Sequence, residues 1–192
     1  MTEQEVRNNI RYNENLVNSY TNTLNGLNSK INSLNSQINQ LNSEISWLQA
    51  KVRELESQIQ ELTQLKNKYQ KLQNEFSSRQ SQRKSKLKHN FSKKPNVKFM
   101  TSYINGMGNL LSGNEYNRTY SGLSSAMTVI SNKIKSIQRE IDGLNSEIRS
   151  KENSIQSKQQ SISSCQGQIN RANSDLSYCK QRITYWKDQM TT

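Results

Sequence analysis

Residues 24–62 read LNGLNSK INSLNSQ INQLNSE ISWLQAK VRELESQ IQEL when cut every seven residues. Leu24, Ile31, Ile38, Ile45, Val52 and Ile59 open the blocks, and Leu27, Leu34, Leu41, Leu48, Leu55 and Leu62 stand fourth in each. Alternating steps of three and four put these side chains on one narrow stripe of an α-helix, because seven residues come close to two turns. The stripe extends N-terminally through Val17 and Ile10 at position a, and through Tyr20, Asn13 and Val6 at position d. Toward the C-terminus, d continues through Tyr69 and Phe76, while a falls on Lys66 and Gln73. Leu65 and Leu72 lie one residue earlier, so the 3-3 step Ile59, Leu62, Leu65 predicts a stammer that shifts the seam onto them. Such a pattern has one physical reading, a helix of roughly 105 Å at about 1.5 Å per residue whose stripe lies against another helix.

Composition agrees. Of 192 residues only 31% are hydrophobic, against about 45–50% in a globular domain. The mean hydropathy is −0.99. A thick core is out of reach, whereas two packed helices need only a stripe each. No window approaches the apolar run that a transmembrane helix requires. The start, Met1 to Val6, has neither the basic nor the apolar region of a signal peptide, which implies a cytoplasmic protein.

A different segment follows Phe76. Residues 77–100 hold Arg79, Arg83, Lys84, Lys86, Lys88, Lys93, Lys94 and Lys98 and no acid, eight of the net +12 charges. Pro95 lies here and predicts a helix break near 90–98. Phe99, Met100, Tyr103, Ile104, Met107, Leu110 and Leu111 then suggest a short amphipathic helix, weakened by Gly106 and Gly108. Ser112-Gly113-Asn114-Glu115 reads as a capping box that starts a second long helix. Its a positions are Met127, Ile134, Ile141, Ile148, Ile155, Ile162, Ile169, Leu176, Ile183 and Met190. Its d positions run Ile130, Ile137 and Leu144, then Lys151, Lys158, Cys165, Ala172, Cys179 and Trp186, so the distal half is expected to pack less tightly.

The expected fold is all-α, a long antiparallel helical hairpin (coiled coil) with a short helix and basic loop at the turn. Three segments follow: a first heptad helix over 1–90, a turn region over 91–112, and a return helix over 113–192. Seam lengths pair Phe76 with Tyr120, Val52 with Leu144 and Leu55 with Ile141. A parallel dimer competes, since Ile or Val at a with Leu at d suits parallel two-stranded coils. Such dimers choose partners through charges at e and g. Here e carries Asn28, Asn35 and Asn42, and g carries Lys30, Gln37, Glu44 and Lys51. No partner code is read in them, which favours a hairpin whose loop makes the choice.

No residues for a reaction come together in this pattern. The single histidine, His89, sits in the basic segment, and carboxylates such as Glu54, Glu61, Asp142 and Glu147 fall off the seam. The reading is non-enzymatic, with no cofactor and no metal. Cys165 and Cys179 share a register about 21 Å apart along one helix, too far for a bond between them. They read as small seam residues, with an intermolecular disulfide as the alternative. Two segments can bind partners. Arg83, Lys84, Lys86, Lys88, Lys93, Lys94 and Lys98 form a basic patch with the composition of a phosphate-binding surface. Tyr103, Met107, Leu111, Gly113, Tyr116, Tyr120 and Leu123 form a candidate protein-binding surface, Tyr and Met being favoured there. Each also has a plain reading, a solvated turn for the first and a local core closing the hairpin for the second. A bZIP-like role is disfavoured, because Pro95 and the glycines separate the basic run from the heptads that follow it.

Leu72-Gln73-Asn74-Glu75-Phe76 closing the first helix, Leu111-Ser112-Gly113 at a turn followed by Tyr116 and Tyr120, and the return series Ile130, Ile134, Ile137, Ile141, Leu144 together mark a family pattern. Over about residues 55–150 the chain resembles the LXG-toxin-associated α-helical proteins of the Gram-positive type VII secretion system. Leu111 stands where that family has tryptophan, and none of the eight tyrosines begins a Tyr-x-x-x-Asp/Glu export motif. The resemblance implies a chaperone or targeting factor that binds the helical N-terminal domain of an LXG toxin, with a second small helical protein as a further partner. It implies residence in the producing cell and export with the partner by a signal-peptide-independent route. The alternative is a self-assembling structural coiled coil whose basic loop touches anionic membrane or nucleic acid.

Overall fold

The computed structural model describes residues 2–91 and 98–190. They form three helices, α1 (Glu3–Phe91), α2 (Lys98–Ser112) and α3 (Asn114–Asp188), with no strand among the described residues. The fold is an all-α helical hairpin. The Asn- and Ser-rich sequence has modest helix propensity, so the helices depend on their apolar stripe and on local caps. Thr2 Oγ1 accepts the Glu5 N–H at 3.3 Å and Glu5 Oε2 accepts the Thr2 N–H at 2.7 Å, a reciprocal cap at the start of α1. Along the helices, hydroxyls such as Thr21, Ser43, Ser46 and Ser131 donate to the carbonyl four residues back, which satisfies them without a partner helix.

The chain divides into two compact units, a terminal unit (Met1–Gln49 with Ser146–Thr192) and a central unit (Ala50–Asn145). In the central unit Leu55, Ile137 and Ile141 form the buried core, with Val52, Ile59, Leu62 and Leu144 packed around it. The expected pairs Val52 with Leu144 and Leu55 with Ile141 thus fall in one cluster. Burying a side chain of this size contributes about 1.5–3 kcal/mol.

The stammer does not occur. Leu65 and Leu72 are 41% and 53% exposed, while Gln73 is only 4% exposed and Lys66, Tyr69 and Phe76 are half-buried. The 3-4 seam continues unshifted, because Gln73 satisfies its amide inside the seam. Its Nε2 donates to Ser124 Oγ at 2.6 Å and to the Tyr120 carbonyl at 3.2 Å.

Helix α1 ends at Phe91 and α2 starts at Lys98. The expected break near 90–98, with Pro95, falls on residues outside the described ones. The expected capping box at Ser112 does not start the second long helix. Ser112 is the last residue of α2, and the Asn117 N–H donates to the Gly113 carbonyl at 3.2 Å in the first turn of α3. Gly113 makes the bend between α2 and α3 because a Cβ there would overlap the Asn109 carbonyl oxygen.

In the terminal unit, Val6, Ile45, Leu48, Ile148, Cys165, Ala172, Cys179 and Trp186 are buried. Asn13 is buried among them and donates through Nδ2 to the Asn9 carbonyl at 2.8 Å. The looser distal half is visible on one side only. The α1 residues between Asn13 and Ile45 are at best half-buried, whereas the small residues Cys165, Ala172 and Cys179 opposite are enclosed. Two of the g positions, Glu44 and Gln37, pair with the facing helix, while Lys51 pairs with Glu54 on its own helix. Glu44 accepts from Lys151 Nζ at 2.7 Å and Gln37 Oε1 accepts from Lys158 Nζ at 2.6 Å. These contacts run antiparallel and lie within one residue of the register read from seam lengths. The two lysines at d therefore belong to polar pairs with the facing helix. Lys151 also lies 3.4 Å from Glu147.

Candidate partner-binding site

Within the central unit, α3 brings Tyr116 against α1. The Tyr116 ring stacks on Phe76 with centroids 5.2 Å apart and planes 13° from parallel, and on Tyr120 at 5.9 Å and 24°. Phe76 therefore meets Tyr116, one turn from the expected Tyr120. Lys84 Nζ lies 5.8 Å from the Tyr116 centroid, in reach of a cation–π contact. Tyr116 Oη donates to Ser77 Oγ at 3.5 Å, and Gln80 Nε2 donates to the Leu111 carbonyl at 3.1 Å. The Tyr116 side chain and the Leu111 main-chain carbonyl are thus engaged within the chain. Tyr120 keeps an exposed edge, Leu123 and Met107 are half-buried, Tyr103 is exposed and Gly113 serves the bend.

Helix α2 has no buried residue. Met100, Ile104, Met107 and Leu111 are half-buried, whereas Phe99 and Leu110 are 76% and 71% exposed. A groove of about 640 Å³ separates α2 from the end of α1, lined by Lys84, Leu87 and Lys88 on one wall and by Ile104, Gly108 and Asn109 on the other. Arg83, Lys86, Lys88 and Lys98 are exposed and Lys84 is half-buried. Lys93 and Lys94 lie outside the described residues.

Two features escaped the sequence reading. The first is a flank of the central unit. Leu65 and Leu72 sit at g, one helical step off the seam. Leu62, Leu65 and Lys133 line a shallow groove of about 330 Å³ with Gln58 and Glu61. Val129, four residues before Lys133 and so on the same face of α3, is 67% exposed. The heptad itself held this signal, because leucines at g add a second stripe beside a stripe that is already occupied.

The second feature is an aromatic cluster in the terminal unit. Tyr12, Tyr20, Asp175, Tyr178 and Arg182 line a cleft of about 320 Å³. The Arg182 guanidinium lies over the rings of Tyr185 (5.2 Å) and Trp186 (4.9 Å). Trp186 Nε1 is buried without a hydrogen-bond partner. Asp175 beside Tyr20 raises the phenol above its ordinary value, since a nearby negative charge disfavours the phenolate.

Among the described residues, no group of three His, Cys, Asp or Glu side chains could hold a metal ion, and no helix is long and apolar enough to cross a membrane. No protein-family profile, curated protein or solved structure matches the chain.

Proposed function

We propose that this chain is a non-enzymatic helical partner protein, a chaperone or targeting factor that holds an amphipathic helix of another protein on the flank of its central unit. The carrying observation is the exposed stripe of Leu65, Leu72 and Val129 beside a seam already closed by Leu55, Ile137 and Ile141. A two-helix pair has no use for apolar side chains at g, whereas a third helix lying against that flank buries them. Exposed apolar side chains gathered on one face are a feature of interaction sites. The identity of the partner follows from the sequence resemblance. The occupant is the helical N-terminal domain of an LXG-type toxin destined for type VII secretion, and the hairpin completes a helical assembly for export.

Co-purification from the producing cell tests this. The wild-type chain is expected to recover, at near-stoichiometric yield, a larger protein with a heptad-bearing helical N-terminal domain. The triple variant Leu65→Asp, Leu72→Asp, Val129→Asp should lose it while keeping its helical circular dichroism. Recovery of that protein by both chains, or of the chain alone by the wild type, refutes the reading.

A further inference from the structure

We propose that α2 and the basic end of α1 form a docking surface for an anionic lipid membrane, with α2 lying in the interface and its Phe99–Leu110 stripe inserted. Charge is the first observation. Residues 50–145 hold 17 Lys and Arg against 7 Asp and Glu, a surplus of ten, while the remainder holds 10 against 8. Ten of the chain's twelve net positive charges therefore belong to the central unit, and no acid occurs between Glu75 and Glu115.

Helical geometry is the second. Phe99, Tyr103, Gly106 and Leu110 follow at steps of four, three and four, so they share one face of α2. Phe99, Tyr103 and Leu110 are all exposed there. The half-buried Met100, Ile104 and Leu111 lie on a different face, and Phe99 and Leu110 stay largely exposed. Phe99 and Leu110 on an exposed face, with no acid in the helix, supply the apolar side of an interfacial helix, and the basic side comes from the end of α1.

Basic residues of α1 lie beside α2. Lys84 and Lys88 line the groove with Gly108 and Asn109. Arg79, Arg83 and Lys86 are exposed along the same end of α1. Lys and Arg held at a lipid surface each add attraction that fades with salt. A nucleic acid would use the same charges, and its bases would stack on Phe99, but it offers no apolar phase for Leu110. A lipid interface uses the charges and both apolar side chains, and that decides between them.

The test is co-sedimentation of the full chain with vesicles of mixed phosphatidylglycerol and phosphatidylcholine, beside vesicles of phosphatidylcholine alone. Binding is expected only to the mixed vesicles, weakening as salt rises. Phe99→Ser with Leu110→Ser, which leaves every charge in place, should lower partitioning roughly tenfold or more. Arg79→Gln with Arg83→Gln, Lys86→Gln and Lys88→Gln should lower it more than about a hundredfold. A Phe99→Trp variant should show a blue-shifted emission on the mixed vesicles, because its ring enters a drier environment. No binding to the mixed vesicles overturns the proposal. So does binding that survives Phe99→Ser with Leu110→Ser unchanged, or tighter binding to duplex DNA of the same phosphate concentration. None of these variants touches Leu65, Leu72 or Val129, so the result is independent of toxin docking.

Discussion

Gln73 and Leu72 are neighbours whose roles are the reverse of what side-chain type alone suggests, and their substitution costs should be reversed as well. Leu72 is 53% exposed. Full burial of a leucine contributes about 1.5–3 kcal/mol, so Leu72→Ala should cost no more than about 1 kcal/mol. Gln73 is buried with two hydrogen bonds to α3, at 2.6 Å to Ser124 Oγ and 3.2 Å to the Tyr120 carbonyl. Each bond is worth about 1 kcal/mol net, and truncation also withdraws a buried methylene worth about 0.8 kcal/mol. Gln73→Ala should therefore cost about 2–3 kcal/mol. Gln73→Leu restores apolar contact at similar volume and should stay within about 1 kcal/mol of wild type, since the Tyr120 carbonyl keeps its own helical bond. Leu55→Ala, in the buried core, should cost about 3 kcal/mol and serves as the reference. Urea titrations followed by far-ultraviolet circular dichroism measure all four, with an unchanged denaturant slope confirming that native-state stability is being compared. If Leu72→Ala costs as much as Leu55→Ala while Gln73→Ala costs nothing, the seam has slipped by one residue and the reasoning is refuted.

Gly113→Ala should lower stability by about 1–3 kcal/mol because its Cβ meets the Asn109 carbonyl, whereas Gly106→Ala, in open space within α2, should raise it by about 0.5–1 kcal/mol; calorimetric melting temperatures separate the two. The Glu44 carboxyl is held below its ordinary value of 4.5 by the hydrogen bond from Lys151, and Glu5 below the same value by its bond to the Thr2 backbone. Their stabilising effect is complete above pH 4.5 and is lost as pH falls through the lowered values. Lys151 is raised above 10.5 by the bond to Glu44, so its share is complete below that pH and is lost only as pH rises through the raised value. Tyr20, raised above 10.0 by Asp175, adds a share that is complete only below pH 10.0, so melting temperature should be flat between pH 4.5 and 10.0 and fall at both ends, and Lys151→Met should reduce the acid-side fall. Cys165 and Cys179 are free and buried, so Ellman's reagent should label both slowly in the native chain and quickly in urea. Electrophoresis without reductant should show no internal disulfide.

The hairpin was legible because a heptad seam is a one-dimensional signal. Ile45, Leu48, Leu55, Ile137 and Ile141 are buried where the period puts them, and Val52 and Leu144 pack beside them. Gln73 was misread because hydrophobicity scores a residue alone, while its burial depends on Ser124 and the Tyr120 carbonyl, more than forty residues away. Glu44 and Gln37 were misread for a related reason. A pairing code at g has meaning only once the facing positions are known to be lysines, and that depends on register. At the candidate surface, the aromatic residues were found but not their use, since a cluster of Tyr, Leu and Met looks the same whether it stacks inward, as Tyr116 does on Phe76, or outward. On the flank, Leu65 and Leu72 carried a signal at g, but it was absorbed into the stammer, and Val129 lies off the seam of α3.

The antiparallel register between α1 and α3 is the claim on which the rest stands. The direct measurement is a chain with Cys165→Ala and Cys179→Ala and new cysteines at Glu44→Cys and Lys151→Cys, treated with a short bis-maleimide and resolved by electrophoresis and peptide mass spectrometry. Lys151 Nζ lies 2.7 Å from Glu44 Oε2 in the native chain, so an intramolecular link between positions 44 and 151 in a monomer-sized band is predicted. Links joining position 44 to position 44 in a dimer-sized band would mean that α1 pairs with its own copy, and would contradict the hairpin.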